Sequence, residues 1–178
     1  SVERMPALFG EQDVIKSLDA LPGIALQADG STLFFVRGGS KDQNLILIDD
    51  APIYNPAHFL GFFSTFIPEA VSDINIYKGD IPAEYGGRLS SLIDVRTREG
   101  DLNRVTASGG VGLVTAKASV EGPLRKGKSS FFVSGRTSYF KWFMKQYNPD
   151  IQKFYFTDLN AKLNLRLGLR DRLHLSGY

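Results

Sequence analysis

Residues 158–167 read DLNAKLNLRL. Leu159, Ala161, Leu163, Leu165 and Leu167 fall on one face of an extended chain. Asp158, Asn160, Lys162, Asn164 and Arg166 fall on the other, because successive strand side chains point to opposite sides of a sheet. The same alternation runs through 130–139, where Phe131, Val133, Gly135, Thr137 and Tyr139 oppose Ser130, Phe132, Ser134, Arg136 and Ser138. Leu173 and Leu175 oppose His174 and Ser176 in the last segment, and residues 104–111 and 115–121 carry a weaker version. The C-terminal part of the chain is therefore expected to be five antiparallel strands, each with one apolar and one polar face.

The connections alternate in length. Residues 123–128, PLRKGK, and 168–171, GLRD, are tight and charged, whereas 140–154 is long and rich in Trp, Phe, Tyr and Lys. Short and long loops joining such strands, with Tyr139, Phe140, Trp142, Phe143 and Tyr155 near strand ends, fit the opening of a transmembrane β-barrel with an aromatic girdle. A soluble antiparallel sheet with one wet face gives the same alternation, so periodicity alone leaves both open. Either way, five strands leave open edges, which invite association in water and are forbidden in hydrocarbon. The chain is expected to be a fragment, or its sheet to be completed by another component.

Charge divides the chain in the same place. Residues 1–101 hold 8 Lys/Arg against 15 Asp/Glu, a balance of −7, and residues 102–178 hold 13 against 4, a balance of +9. A reversal of this size suggests two modules, an acidic body and a basic sheet. There is no cysteine, which removes disulfides and thiolate metal sites. No stretch approaches the ~20 apolar residues of a membrane helix, and no N-terminal run has the order of a signal peptide. The two histidines, His58 and His174, fall in different modules, and no Ser-His-Asp or metal-spaced cluster is visible. The cations of the second half alternate with apolar residues instead of forming a nucleic-acid motif. No enzyme activity, cofactor, metal or nucleic-acid partner is expected.

The first hundred residues read differently. Val14, Ile15, Leu18 and Leu21 are spaced for a short amphipathic helix over 11–21 that ends at Pro22-Gly23. Residues 32–37, 44–49, 73–78 and 90–98 have strand character, and Pro68-Glu69-Ala70-Val71 suits one helical turn. One or two short helices among about four strands make a small α+β unit.

Residues 34–100, FFVRGGSKDQNLILIDDAPIYNPAHFLGFFSTFIPEAVSDINIYKGDIPAEYGGRLSSLIDVRTREG, carry a resemblance as a whole. The telling pieces are Arg37-Gly38-Gly39, the strand ending in Asp49, Pro68–Val71 followed by Ile74–Gly79, and Ala83-Glu84-Tyr85-Gly86-Gly87 before the Ser90–Arg98 strand. In this order they resemble the plug domain of TonB-dependent outer-membrane receptors, especially those of Bacteroidetes type. The resemblance implies an α+β plug over 1–100 followed over 101–178 by about five antiparallel strands of an incomplete transmembrane β-barrel. Asp50 departs from the pattern, which has glycine after the aspartate, and no TonB box is visible before Ser1.

The resemblance implies the N-terminal part of a transporter in the cell outer membrane, its plug gating energy-coupled uptake of a scarce ligand. Its implied partners are TonB, outer-membrane lipid, and a surface lipoprotein or other subunits of an outer-membrane complex. Arg37 and Arg88 would make plug–barrel contacts, since a planar guanidinium holds carboxylates in a bidentate grip. Gly38, Gly39, Gly79, Gly86 and Gly87 would shape the plug turns, and Tyr54, Asn55, His58 and Phe59 would lie on a ligand-facing apical loop. Two alternatives stand beside this reading. One is a receptor-like barrel acting as an accessory or structural subunit without transport. The other is a soluble ligand-binding α+β domain.

Overall fold

A computed structural model describes residues 7–8, 11–27, 34–36, 43–58, 61–85, 90–139, 155–168 and 170–178. The chain forms two compact units, one made mainly of Gln12–Thr97 and the other mainly of Arg98–Tyr178, with Glu11 counted in the second. No helix among the described residues is long and apolar enough to cross a membrane, which says nothing about strands.

The chain opens with the short strands β1 (Ala7–Leu8) and β2 (Glu11–Gln12). The expected helix over 11–21 contracts to a single 3-10 stretch, Lys16–Ala20. Its start is set by Asp13, whose carboxylate accepts the N–H groups of Ile15 (2.9 Å) and Lys16 (3.3 Å). Its end is set by Leu21–Ile24, closed by Ile24 N–H on the Leu21 carbonyl at 3.3 Å. Pro22 and a left-handed Gly23 (φ 83°) occupy the two central places there, as a type II turn requires. Too few residues lie between these stops for an α-helix to propagate. The apolar spacing still does its work, because Val14, Ile15 and Leu18 are all buried in the core.

Strand β3 (Ile24–Leu26) pairs antiparallel with β4 (Phe34–Val36). The main sheet comprises β5 (Asn44–Ile48), β6 (Ala51–Pro52), β9 (Val71–Tyr77) and β10 (Ser91–Thr97), in the order β6-β5-β10-β9. β10 is parallel to β5 and antiparallel to β9, so it sits centrally, with Ile93 beside Ile46 and Ile76. Ile46, Ile48, Ile93 and Val95 send one face into the core against Ile24, Phe34, Val36 and Phe66. Between β6 and β9 lie the two-residue pair β7 (Ala57–His58) and β8 (Phe63–Ser64), and the 3-10 turn Pro68–Ala70. That turn places proline at its start, as expected.

The second unit is an antiparallel meander of β11 (Thr106–Val111), β12 (Thr115–Arg125), β13 (Ser129–Ser138), β14 (Thr157–Arg166) and β15 (Arg172–Gly177), paired in chain order and not closed on itself. Its register puts Val133 opposite Ala161 and Arg136 opposite Asp158, so like faces of β13 and β14 coincide. Burial on these strands is inverted. In β14, Asp158, Asn160, Lys162 and Asn164 are buried, while Leu159 is 61% exposed and Leu163 36%. In β13, Ser130, Ser134, Arg136 and Ser138 are buried and Val133 is exposed. A water-soluble sheet buries leucine and exposes lysine; a sheet built the other way has its apolar face against hydrocarbon.

Gly100, just after the first unit, shows how closely this segment approaches the sheet. It has a left-handed backbone (φ 85°), and a Cβ there would lie 2.2 Å from the Phe131 carbonyl oxygen.

Inverted burial predicts an inverted mutational response. Leu163→Arg is expected to destabilise the intact protein by about 2–4 kcal/mol if this face meets the bilayer near its midplane. Ser134→Ala, which removes a buried hydroxyl with no hydrogen-bond partner, should change stability by no more than about 0.5 kcal/mol. Urea-dependent folding into lipid vesicles measures both. A cost near zero for Leu163→Arg would mean that the leucine face meets water.

Candidate functional site

The end of β10, where the first unit hands the chain to the second, is held by a cluster of carboxylates. Leu47 pairs with Pro52 and Ile48 with Ala51, which leaves Asp49 and Asp50 as a two-residue hairpin turn. Both take left-handed backbone conformations, φ 47° and 70°, as a type I′ turn demands. Aspartate tolerates this region better than most side chains. The turn directs both side chains at β10. Asp49 accepts the Thr97 N–H at 3.0 Å and the Thr97 hydroxyl. Asp50 grips Arg96 with both oxygens, each at 2.7 Å. Arg96 Nε donates to Asp94 at 3.0 Å.

The Arg96 guanidinium is held above its ordinary pKa, first by its hydrogen bond to Asp50, with partial burial opposing and Asp94 reinforcing. Tyr85, from the Ala83–Gly87 motif, has its hydroxyl pushed up by desolvation and then by the charges of Asp50, Glu84 and Asp94. The handover continues through Asp101, whose carboxylate accepts the N–H groups of Asn103 and Arg104 at 2.7 and 3.2 Å. These bonds hold its pKa below the usual value. Their contribution is present above the ordinary carboxylate pKa and is lost as pH falls through the depressed one.

The loop over 53–58 carries the residues expected to face ligand. Tyr54 is 83% exposed, and the Asn55 side chain closes a local turn on the Ala57 N–H at 3.4 Å. His58 is half-buried on β7, paired with Phe63. The hairpin β7–β8 is only two residues deep and is stapled from a distance. Buried Asp13 accepts the Ser64 N–H at 2.8 Å, and buried Lys16 donates to the Phe62 carbonyl at 2.7 Å.

On the polar face of the second unit, Arg136 and Asp158 form an ion pair at 2.5 Å with both side chains about 1% exposed. Phe156 lies under the guanidinium at 5.0 Å, and Tyr178 donates to the other Asp158 oxygen at 3.1 Å. Glu99 accepts from Asn164 at 2.9 Å, while its carbonyl accepts the Ser130 hydroxyl at 2.7 Å. No group of three or more His, Asp or Glu side chains among the described residues is arranged to hold a metal ion.

Residues 2–91 match the family model described as TonB-dependent Receptor Plug Domain. The chain belongs to this family. Solved structures agree on the fold. The siderophore receptor PirA from Acinetobacter baumannii matches with a TM-score of 0.66 at 18% identity, over 92% of this chain and 28% of its own. PirA from Pseudomonas aeruginosa gives 0.61 at 19% identity, over 92% of this chain and 29% of its own. A mutant of the ferric enterobactin receptor PfeA from Pseudomonas aeruginosa gives 0.58 at 16% identity, over 92% and 29%. The chain thus spans less than a third of the length of the receptors it matches. No curated protein matches the sequence significantly. TonB-dependent receptors are outer-membrane proteins that serve transport and are not enzymes. The plug match ends at Ser91, the first residue of β10, and the antiparallel sheet follows the first unit.

Of the residues expected from sequence, Tyr54, Asn55 and His58 lie on one loop and the strand that follows it. Arg37, Gly38, Gly39, Phe59, Gly86, Gly87 and Arg88 lie outside the described residues. In the turn after β9, Gly79 is followed by Asp80, which takes a left-handed conformation (φ 49°). Sequence reasoning missed the carboxylate cluster because Asp-Asp is not a recognised hairpin signal, whereas Asp-Gly is. It missed the Asp13 and Lys16 staple because its partners are backbone groups some fifty residues away, which leave no mark in a sequence pattern.

The cluster predicts a graded response. Arg96→Ala leaves Asp94, 5% exposed, without its cation and should cost the plug about 3–5 kcal/mol. Asp50→Asn breaks a pair that is more than half exposed on its acidic side and should cost no more than about 1 kcal/mol. Hydrogen exchange of the β10 amides in the intact receptor reads both. Wild-type protection in Arg96→Ala would show that the cluster does not hold the strand.

Proposed function

We propose that this chain is the N-terminal part of a TonB-dependent outer-membrane transporter whose plug gates energy-coupled uptake of a scarce ligand. The observation that carries the reading is the direct succession of a plug, matched over residues 2–91, by a sheet with leucines outward and polar side chains buried. A plug followed by a membrane wall makes sense as a closed gate in a lumen. TonB would supply the pull that remodels it. A Bacteroidetes-type receptor, which the motifs resemble, and with it a surface lipoprotein or other complex subunit as partner, belong to the same proposal.

Within it, Tyr54, Asn55, His58 and Phe59 present rings and a few polar groups to ligand on the apical side, a composition suited to a binding surface. Arg37 and Arg88 tie the plug to wall carboxylates, a task for which a permanently charged bidentate fork is fitted. The ligand class follows from neither loop.

A strain lacking the gene should lose growth on one class of scarce nutrient in a panel of iron chelates, cobalamin and glycans, and loss of TonB should reproduce the defect. Full growth on the whole panel, or a defect that persists unchanged with TonB disabled, would favour the accessory-subunit role instead. Tyr54→Ala with His58→Ala should weaken ligand binding about tenfold without lowering the folded yield. Arg37→Ala with Arg88→Ala should raise permeability to large antibiotics, and unchanged permeability would remove those two arginines from the gate.

A further inference from the structure

The two ends of the wall sheet differ. At one end, the Tyr139 hydroxyl folds onto the Gly112 carbonyl and Tyr155 is exposed, so aromatic rings flank the long connection. At the other end lie the two tight turns, Lys126–Lys128 after β12 and residues 167–171 after β14. Neither 123–130 nor 164–173 contains an aromatic residue. Both are crowded with cations. Arg125, Lys126, Lys128, Arg170 and Arg172 are exposed and pair with no carboxylate among the described residues. Arg172 stands directly opposite Arg166 in the β14–β15 register; Arg166 donates its Nε to the Gly168 carbonyl at 3.2 Å, and Asp171, between Arg170 and Arg172, is the one carboxylate of residues 164–173.

These cations begin where the apolar face stops. Leu124 is 55% exposed and Leu167 68%, each beside a basic residue at the mouth of its turn. Strands β13 and β14 are 10 residues long. At about 3.3 Å per residue and a tilt near 40°, such strands rise about 25 Å, the height of the apolar band of a membrane barrel. The turn tips therefore fall at the level of lipid phosphates. Short turns mark the periplasmic end of such barrels.

We propose that this basic rim is a docking surface for the phosphates of anionic glycerophospholipids in the periplasmic leaflet, taking the anchoring place of an aromatic girdle at that end. Lysine offers three donors to a phosphate and arginine a planar fork, while Leu124 and Leu167 lie along the acyl chains. The proposal rests on the sheet being a membrane wall and is independent of whether the receptor transports.

The test uses the intact receptor, purified in detergent and exchanged into bilayers that mix phosphatidylglycerol with phosphatidylcholine, with retained lipid read by native mass spectrometry. Wild type should retain phosphatidylglycerol preferentially, and 0.5 M salt should reduce the preference. The triple variant Lys126→Gln, Lys128→Gln, Arg170→Gln should lose about a hundredfold of it, at roughly fivefold per cation. Equal retention of the two lipids by wild type, an unchanged preference in the triple variant, or selective retention of lipopolysaccharide would each overturn the proposal. Heat-modifiable gel mobility reports the folded barrel separately. A folded barrel without lipid preference would sink this inference and leave the transporter reading standing.

Discussion

In β13 and β14, Arg136 and Asp158 lie buried against each other while Leu159 and Leu163 face outward. Removing two charges from water costs several kcal/mol per ion, and leaving a row of leucines in water costs more with every residue. A chain bears both only if hydrocarbon lies on the leucine side and compensating polar groups lie on the other. The compensation is visible: Asp158 accepts from Arg136 and from Tyr178, and Asn164 donates to Glu99. In hydrocarbon every backbone group must also be paired, and in the antiparallel meander β13 pairs with β12 over ten positions and with β14 over eight.

The plug obeys the opposite rule. Its core is ordinary, with Val14, Ile15, Phe66, Ile93 and Val95 inside. Its regular elements are short, so polar side chains take over work that longer ladders would do. Asp13 both starts the 3-10 turn and holds Ser64, and Asp49 and Asp50 fix the last residues of β10. These contacts concentrate at two places, the loop hairpin and the exit strand.

Strand positions in the second unit were legible because period two is written into the side chains themselves; Ser130, Ser134 and Arg136 share a face in sequence and in space. The short helix over 11–21 was overstated, since amphipathic spacing marks which residues are buried and not how many turns form between Asp13 and Pro22. The carboxylate cluster was invisible because Asp50 meets Arg96 across 46 residues and through a turn whose two residues are both aspartates.

By itself, the sequence determined the two modules, the plug motifs and the two-faced strands, all of which depend on local order and periodicity. It left open which face of the wall strands is buried, since alternation is symmetric between a wet sheet and a lipid-facing one. Tertiary structure decided that, because burial belongs to the assembled sheet and its neighbours: only with β13 and β14 in register does the lysine face close and the leucine face remain open.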